Sequence, residues 1–219
     1  MSRSTPLQIR RRLPNEAAVP EGAPSTEIVE WAVERHGDGL VVLASFGDLV
    51  LVDVVMSVCP DVPVVFLDTG FHFAETLETA RRAQVRYGLD LRVVRPDPEA
   101  IDLFAAGTAE CCAARKVEPM DRALAGRTAW ISGLRRADHP GRGSVPIIDA
   151  DRRGLEKINP IAGWDDATVD RYVEERGLIV HPLSVQGYES IGCWPCTEPG
   201  AGRSGRWAGE ARAECGIHS

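Results

Sequence analysis

Six cysteines carry the sharpest chemical signal in this chain. Cys111 and Cys112 are adjacent, Cys193 and Cys196 bracket a Trp-Pro pair, and Cys215 stands in the closing Glu-Cys-Gly-Ile-His-Ser. Cys59 sits alone in an apolar run. Two close pairs can supply four thiolates to one inorganic centre and leave the tail thiol free to react. Cys-x-x-Cys alone fits a zinc half-site, a redox dithiol or half of an iron–sulfur site. The adjacent pair helps to separate these. Structural zinc favours knuckles with two to four intervening residues. Adjacent side chains on a helix diverge by about 100°, so two such sulfurs would strain to meet one small ion. An iron–sulfur cube has separate iron corners and takes four thiolates. The spacing favours a 4Fe–4S cluster on Cys111, Cys112, Cys193 and Cys196 over zinc, with free structural thiols as the third reading.

Cys215 lies four residues from the end, in a Gly-flanked segment that has no core of its own. The thiolate is the nucleophile, and nearby cations raise its share of the thiol. Arg206, Arg212, Lys116 and His218 are the groups that could do so if the tail folds over the site. Lys116 falls one helical turn beyond Cys112, on its face. Arg135, Arg136, Arg142, Arg203 and Arg206 form cationic clusters in an acidic chain, and guanidinium forks match phosphate and sulfate oxygens. Cys59 reads as packing. His36, His72, His139 and His181 lack ligand spacing to one another, which argues against a mononuclear histidine metal site.

The elements that must position these residues read as α/β. The chain has 219 residues, 44% of them apolar, enough for one large domain. Leu40–Ser45, Val62–Asp68, Leu89–Arg95 and Thr128–Leu134 are strand-length runs, mostly apolar. They alternate with helical patterns over Asp48–Val58 and Phe73–Tyr87. Apolar runs of this kind indicate a parallel sheet covered on both faces. The expected fold is a doubly wound α/β domain with a mostly parallel sheet. A first helix is expected from a Ser25-Thr26 cap, and a late one over Asp165–Glu175, ended by Gly177. Residues 1–24 read as a poorly ordered leader, 25–198 as the folded body and 199–219 as a mobile tail.

Ligands of such sheets bind beyond the carboxyl ends of strands, where helix N-termini offer unpaired N–H groups. Ser45-Phe46-Gly47-Asp48 and Leu67-Asp68-Thr69-Gly70 occupy those positions. Each fits a simple turn as well as a phosphate loop, and neither a dinucleotide fingerprint nor a Walker sequence is present. The net charge of −7 argues against a nucleic-acid partner. No apolar run approaches the roughly 20 residues that span a bilayer. The basic start lacks the apolar stretch of a signal peptide, so a cytoplasmic protein is expected.

Longer matches then converge on one family. Cys-Cys-Ala-Ala-Arg-Lys-Val-Glu-Pro at 111–119, Gly-Tyr-Glu-Ser-Ile-Gly-Cys-Trp-Pro-Cys-Thr at 187–197, Arg-Ser-Gly-Arg-Trp at 203–207 and Glu-Cys-Gly-Ile-His at 214–218 are the most specific. With Trp-Ile-Ser-Gly-Leu-Arg-Arg at 130–136 and Lys-Ile-Asn-Pro at 157–160, the chain resembles the assimilatory adenylylsulfate (APS) reductases from about residue 25 to its end. The resemblance implies an adenine-nucleotide α-hydrolase-like fold and reduction of APS to sulfite and AMP, with thioredoxin as reductant. Cys215 would carry an S-sulfocysteine intermediate, and the four paired cysteines a 4Fe–4S cluster that does not cycle. Lys116, Arg142, Arg203, Arg206 and His218 would line the phosphosulfate, and Ser45, Asp48, Leu67 and Gly133 the nucleotide. The phosphate loop is abbreviated relative to the family's longer Ser-x-Ser-x-x-Glu-Asp-like form, and the turn carrying Arg142 is a residue short. Reduction of phosphoadenylylsulfate (PAPS), alone or beside APS, is the nearest alternative, although members with both cysteine pairs tend to use APS. A zinc-stabilised nucleotide-binding module without catalysis is the distant one.

Overall fold

The four strand-length runs form strands, and their alternation explains why they are apolar throughout. The computed structural model describes residues 19–99, 106–208, 210 and 214–218. Strands β1 (Leu40–Leu43), β2 (Val64–Leu67) and β4 (Ala129–Ser132) are buried along their whole length; β3 (Leu91–Val94) is only partly covered. Successive strand side chains point to opposite faces. Val42, Val64, Phe66 and Ile131 pack into one core cluster, and Val41, Leu43, Val65, Leu67 and Trp130 into the other. Both faces are therefore covered, as the doubly wound reading requires.

The sheet has six strands in the order β3-β2-β1-β4-β6-β5, all parallel except the last pair. β5 (Ile148–Ala150) and β6 (Glu156–Ile158) form a hairpin that sequence patterning does not reveal. Each has three residues, and Asp149, Glu156 and Lys157 interrupt the apolar pattern. β6 brings Lys157 opposite Trp130 of β4.

Helix α1 (Ser25–His36) begins one residue earlier than the Ser-Thr cap implies. Pro24 occupies the cap position and no side chain caps the helix. Its face Ile28, Val29, Trp31 and Ala32 is buried. α2 (Val50–Val58) is buried on nearly every side, and Cys59 at its end packs half-buried against the same core. α3 (Ala74–Tyr87) and α6 (Asp166–Arg176) both stop at a left-handed glycine, Gly88 and Gly177. Asp165 caps α6 by accepting from the Thr168 N–H at 2.8 Å.

A buried carboxylate ties three of these helices together. Asp53 of α2 is 3% exposed. It accepts from Tyr87 Oη (3.0 Å), Tyr172 Oη (2.8 Å) and Arg176 Nε (2.9 Å). Burial and then the Asp53 hydrogen bond push the Tyr87 hydroxyl up to about 12. Asp53→Ala removes the acceptor of three donors. Because Arg176 is half exposed and can rehydrate, the expected loss is about 2–3 kcal/mol of unfolding free energy, measured by urea denaturation. An unchanged midpoint would show that the helices hold without this tie.

The ends of the chain are more integrated than their composition suggests. Of the expected leader, residues 1–18 lie outside the described residues. Val19 and Ala23 pack on the core, and Arg136 donates to Glu21 at 2.8 Å. At the other end, Ile217 packs beside Trp130, and Cys215 is buried. The described part of the tail is thus docked on the sheet's carboxyl edge. No helix among the described residues is long and apolar enough to cross a membrane.

Candidate active site

The chain runs from β1 outward through β2 and β3, then returns to place β4 on the other side of β1. That reversal opens a crevice at the carboxyl ends of β1 and β4, the usual ligand position in open α/β sheets. A cleft of about 770 Å³ lies there. Ser45, Asp48, Leu67, Lys116, Gly133, Arg142, Arg203, Arg206, Cys215 and His218 all line it. The structure therefore brings together every substrate residue implied by the sequence, with the tail thiol among them. Arg212 lies outside the described residues.

The β1–α2 turn is conformationally demanding. Phe46 adopts a left-handed backbone (φ 56°) while its side chain is fully buried against Phe66. A bulky residue in that region is costly and persists only where its surroundings enforce it. The turn exposes Ser45 to the cleft, and Asp48 accepts from the Val50 N–H at 2.9 Å to start α2.

The cysteines occupy an adjoining pocket. Helix α4 (Thr108–Cys112) continues through a π turn over Ala113–Val117 into α5 (Glu118–Leu124). The cause is legible in Pro119. Proline has no N–H and clashes with the carbonyl four residues back, here Arg115. A wider turn avoids that clash, with Glu118 N–H bonding Ala113 O. The π turn directly follows Cys112 and carries Lys116. Opposite it, Cys193 and Cys196 close a short turn, Cys196 N–H to Cys193 O at 3.0 Å. Thr69 Oγ1 lies 3.3 Å from Cys193 Sγ.

All four cysteines line this pocket, with Phe71, Arg115, Lys116, Arg206 and Trp207. Among the described residues, no three His, Cys, Asp or Glu side chains are grouped to share a single ion. Four thiols around one space are the ligand set that an iron–sulfur cluster takes. Arg115 serves the frame: it donates to Thr69 O at 2.9 Å and lies 4.4 Å from the Phe71 ring centre.

Lys116, Arg206 and Trp207 form the wall shared by pocket and cleft. Burial opposes the charge on Lys116, but Cys215, Cys193 and Cys112 outweigh it and raise its pKa, keeping the ammonium protonated. Burial, helped by Cys193, pushes the Cys196 thiol up against the pull of Lys116 and Arg206. Arg206 is 9% exposed, and its Cζ lies 4.5 Å from the Trp207 ring centre.

Several contributors escape sequence reasoning. A Cβ at Gly192 would run into the Arg206 guanidinium, so this glycine makes the cation's berth. A Cβ at Gly205 would strike the Glu198 carbonyl, across the narrow hairpin that joins Cys196 to Trp207. Lys157, 4% exposed, sits 5.4 Å from the Trp130 ring centre and donates to His218 O at 3.4 Å. The His218 ring stacks on Trp130 at 6.1 Å and 18°. Burial, then Lys157, Arg142, Arg203 and Lys116, holds its pKa well below the ordinary histidine value, so the imidazole is neutral. Only the charged patterning around 151–157 and the closing aromatic-cation pairs hint at these contacts, and both are weak.

Known proteins align with this architecture. A family model for the phosphoadenosine phosphosulfate reductase domain matches residues 39–199. An adenosine 5'-phosphosulfate reductase of Mycobacteroides abscessus is 43% identical over 238 residues, covering 100% of both chains. One from Rhodococcus opacus is 41% identical over 242 residues, covering 100% of this chain and 98% of the relative. Among solved structures, a phosphoadenylyl-sulfate (PAPS) reductase from Candida auris superposes with a TM-score of 0.72 at 27% identity, over 80% of this chain and 90% of that one. The FMN adenylyltransferase of Candida glabrata, at 16% identity and a TM-score of 0.62, covers 80% of this chain and 63% of its own; it shares the fold alone.

Proposed function

The chain belongs to the phosphoadenosine phosphosulfate reductase domain family, and from that premise we propose that it reduces APS to sulfite and AMP in sulfate assimilation. The observation that carries this reading is the tail thiol of Cys215, buried in the nucleotide-sized cleft beside Lys116 and Arg206. APS is favoured over PAPS by the full-length relatives named for adenosine 5'-phosphosulfate.

The Cys215 thiolate attacks the sulfate sulfur. An S–S bond forms, the sulfur–oxygen bond to AMP breaks, and its electron pair leaves on the AMP phosphate. Lys116 and Arg206 offset the charge that develops on the departing and transferring oxygens. One such donor is worth about 10²–10³ in rate. Neutral His218 completes the wall of the phosphosulfate end, and Arg142 and Arg203 line the same cleft. Ser45, Asp48, Leu67 and Gly133, on the β1, β2 and β4 edges, hold the nucleotide end. Cys111, Cys112, Cys193 and Cys196 would hold a 4Fe–4S cluster, which when bound supplies a fixed charge beside Lys116 rather than electrons.

The electrons come from an external dithiol, read here as thioredoxin in a reducing cytoplasm. Its thiolate attacks Cys215 Sγ, sulfite leaves with the electron pair, and the second thiol resolves the mixed disulfide. Cys215 is only 7% exposed, so the tail must lift between the two half-reactions. Mixing the anaerobically purified protein with APS, without reductant, should release one equivalent of AMP and add one sulfonate to Cys215 by intact mass spectrometry. AMP release without a protein adduct would overturn the covalent route, and preferential turnover of PAPS would reverse the substrate choice.

A further inference from the structure

Glu214, the residue before the proposed nucleophile, is held by a two-pronged contact. Arg142 Nε donates to Glu214 Oε1 at 2.7 Å, and Arg142 Nη2 to Glu214 Oε2 at 2.8 Å. Arg203 reaches the same carboxylate at 3.5 Å. Arg142 Nη1 is taken by Asp138 Oδ2 at 2.9 Å. Two carboxylates therefore face a guanidinium that is only 10% exposed, Asp138 being shared with Arg135 and Glu214 with Arg203. Lys116 and Arg206 differ. Among the described residues neither has a carboxylate partner, and Arg206 Nε is buried without a hydrogen bond.

We propose that Glu214 is a positioning residue for Cys215, clamped by Arg142 and Arg203. A two-pronged arginine–carboxylate pair fixes orientation as well as distance, and Cys215 is one residue away. Beyond it, Gly216 turns the chain in a left-handed conformation (φ 85°), and His218 is held by the Trp130 stack and Lys157. The nucleophile is thus pinned on both sides. Arg142 serves the tail rather than the ligand, and its role in the reaction passes through Glu214. The carboxylate is 35% exposed, so solvent weakens the clamp enough for the tail to lift.

The inference rests on Cys215 being the residue that accepts the sulfonate. Its test uses anaerobically purified full-length protein, wild type and Glu214→Gln, which keeps the shape and loses the charge. Single-turnover S-sulfonation of Cys215 is followed across APS concentrations, and alkylation of Cys215 by iodoacetamide is timed without substrate. The maximal sulfonation rate should fall about tenfold. The half-saturating APS concentration should change by less than about threefold, while alkylation speeds up. Glu214→Asp, which keeps the charge on a shorter arm, should fall between. Unchanged sulfonation and alkylation would overturn the clamp. Tighter APS binding at an undiminished maximal rate would overturn it too, because Glu214 would then be competing with substrate for the arginines. If wild type itself takes no sulfonate, the proposed function fails, and the alkylation comparison still decides whether Glu214 seats the tail.

Discussion

Replacing Cys215 by serine is expected to leave a folded protein with its four-cysteine pocket intact, yet to stop AMP release from APS. The substitution exchanges one atom at a position 7% exposed, so the packing with Cys112 and Trp207 is nearly kept. What is lost is the proposed nucleophile. A thiol ionises near neutral pH and its thiolate attacks readily, whereas a serine hydroxyl needs a dedicated base. The three imidazoles that line the cleft are otherwise engaged: His218 stacks on Trp130, His72 Nε2 lies 2.9 Å from Leu67 O and His181 Nε2 lies 3.0 Å from Thr76 Oγ1. The rate should fall by about 10⁴-fold or more, with no sulfonate on the protein by mass. The AMP-release assay and the adduct must vanish together; turnover persisting in the serine variant would remove Cys215 from the chemistry.

Legibility in the sequence followed the range of the interactions involved. β1, β2 and β4 announce themselves because both faces are buried, so no polar residue interrupts Leu40–Leu43 or Val64–Leu67. The crevice follows from strand order, and Ser45, Leu67 and Gly133 stand at strand ends that short patterns already mark. The β5–β6 hairpin is invisible because its three-residue strands are stabilised by pairing with β4, not by their own pattern. Lys157 is missed for the same reason, since burial of a cation depends on Trp130 and the tail meeting over it. The tail reads as mobile because glycine and arginine dominate it. It docks through pairs distant in sequence, Trp130 with His218 and Arg142 with Glu214. Gly192 carries no signal of its own; only the position of Arg206 shows that a side chain there has no room.

Cys196→Ala tests the other half of the cysteine layout. The backbone duties at this position survive the change. Cys196 N–H bonds Cys193 O, and Cys196 O accepts from Trp207 N–H, both at 3.0 Å, and alanine retains both groups. The thiolate alone is removed. If the four cysteines hold a 4Fe–4S cluster, three ligands remain for a group that takes four. The variant should then lose iron, acid-labile sulfide and visible absorbance together. Ligand binding to the folded state is also folding free energy, so the melting temperature should fall with the iron content. Activity should drop as well, because Lys116 and Arg206 stand between this pocket and the cleft. The metal analysis separates the readings independently of turnover. Stoichiometric zinc without sulfide in the wild type would replace the cluster by a single ion. A cluster-free variant with full activity would show that the thiolates frame the site without serving it. Loss of the cluster with Cys215 still reactive toward iodoacetamide would assign the group to placing Lys116 and Arg206 on the substrate, since the nucleophile itself is seated by the tail.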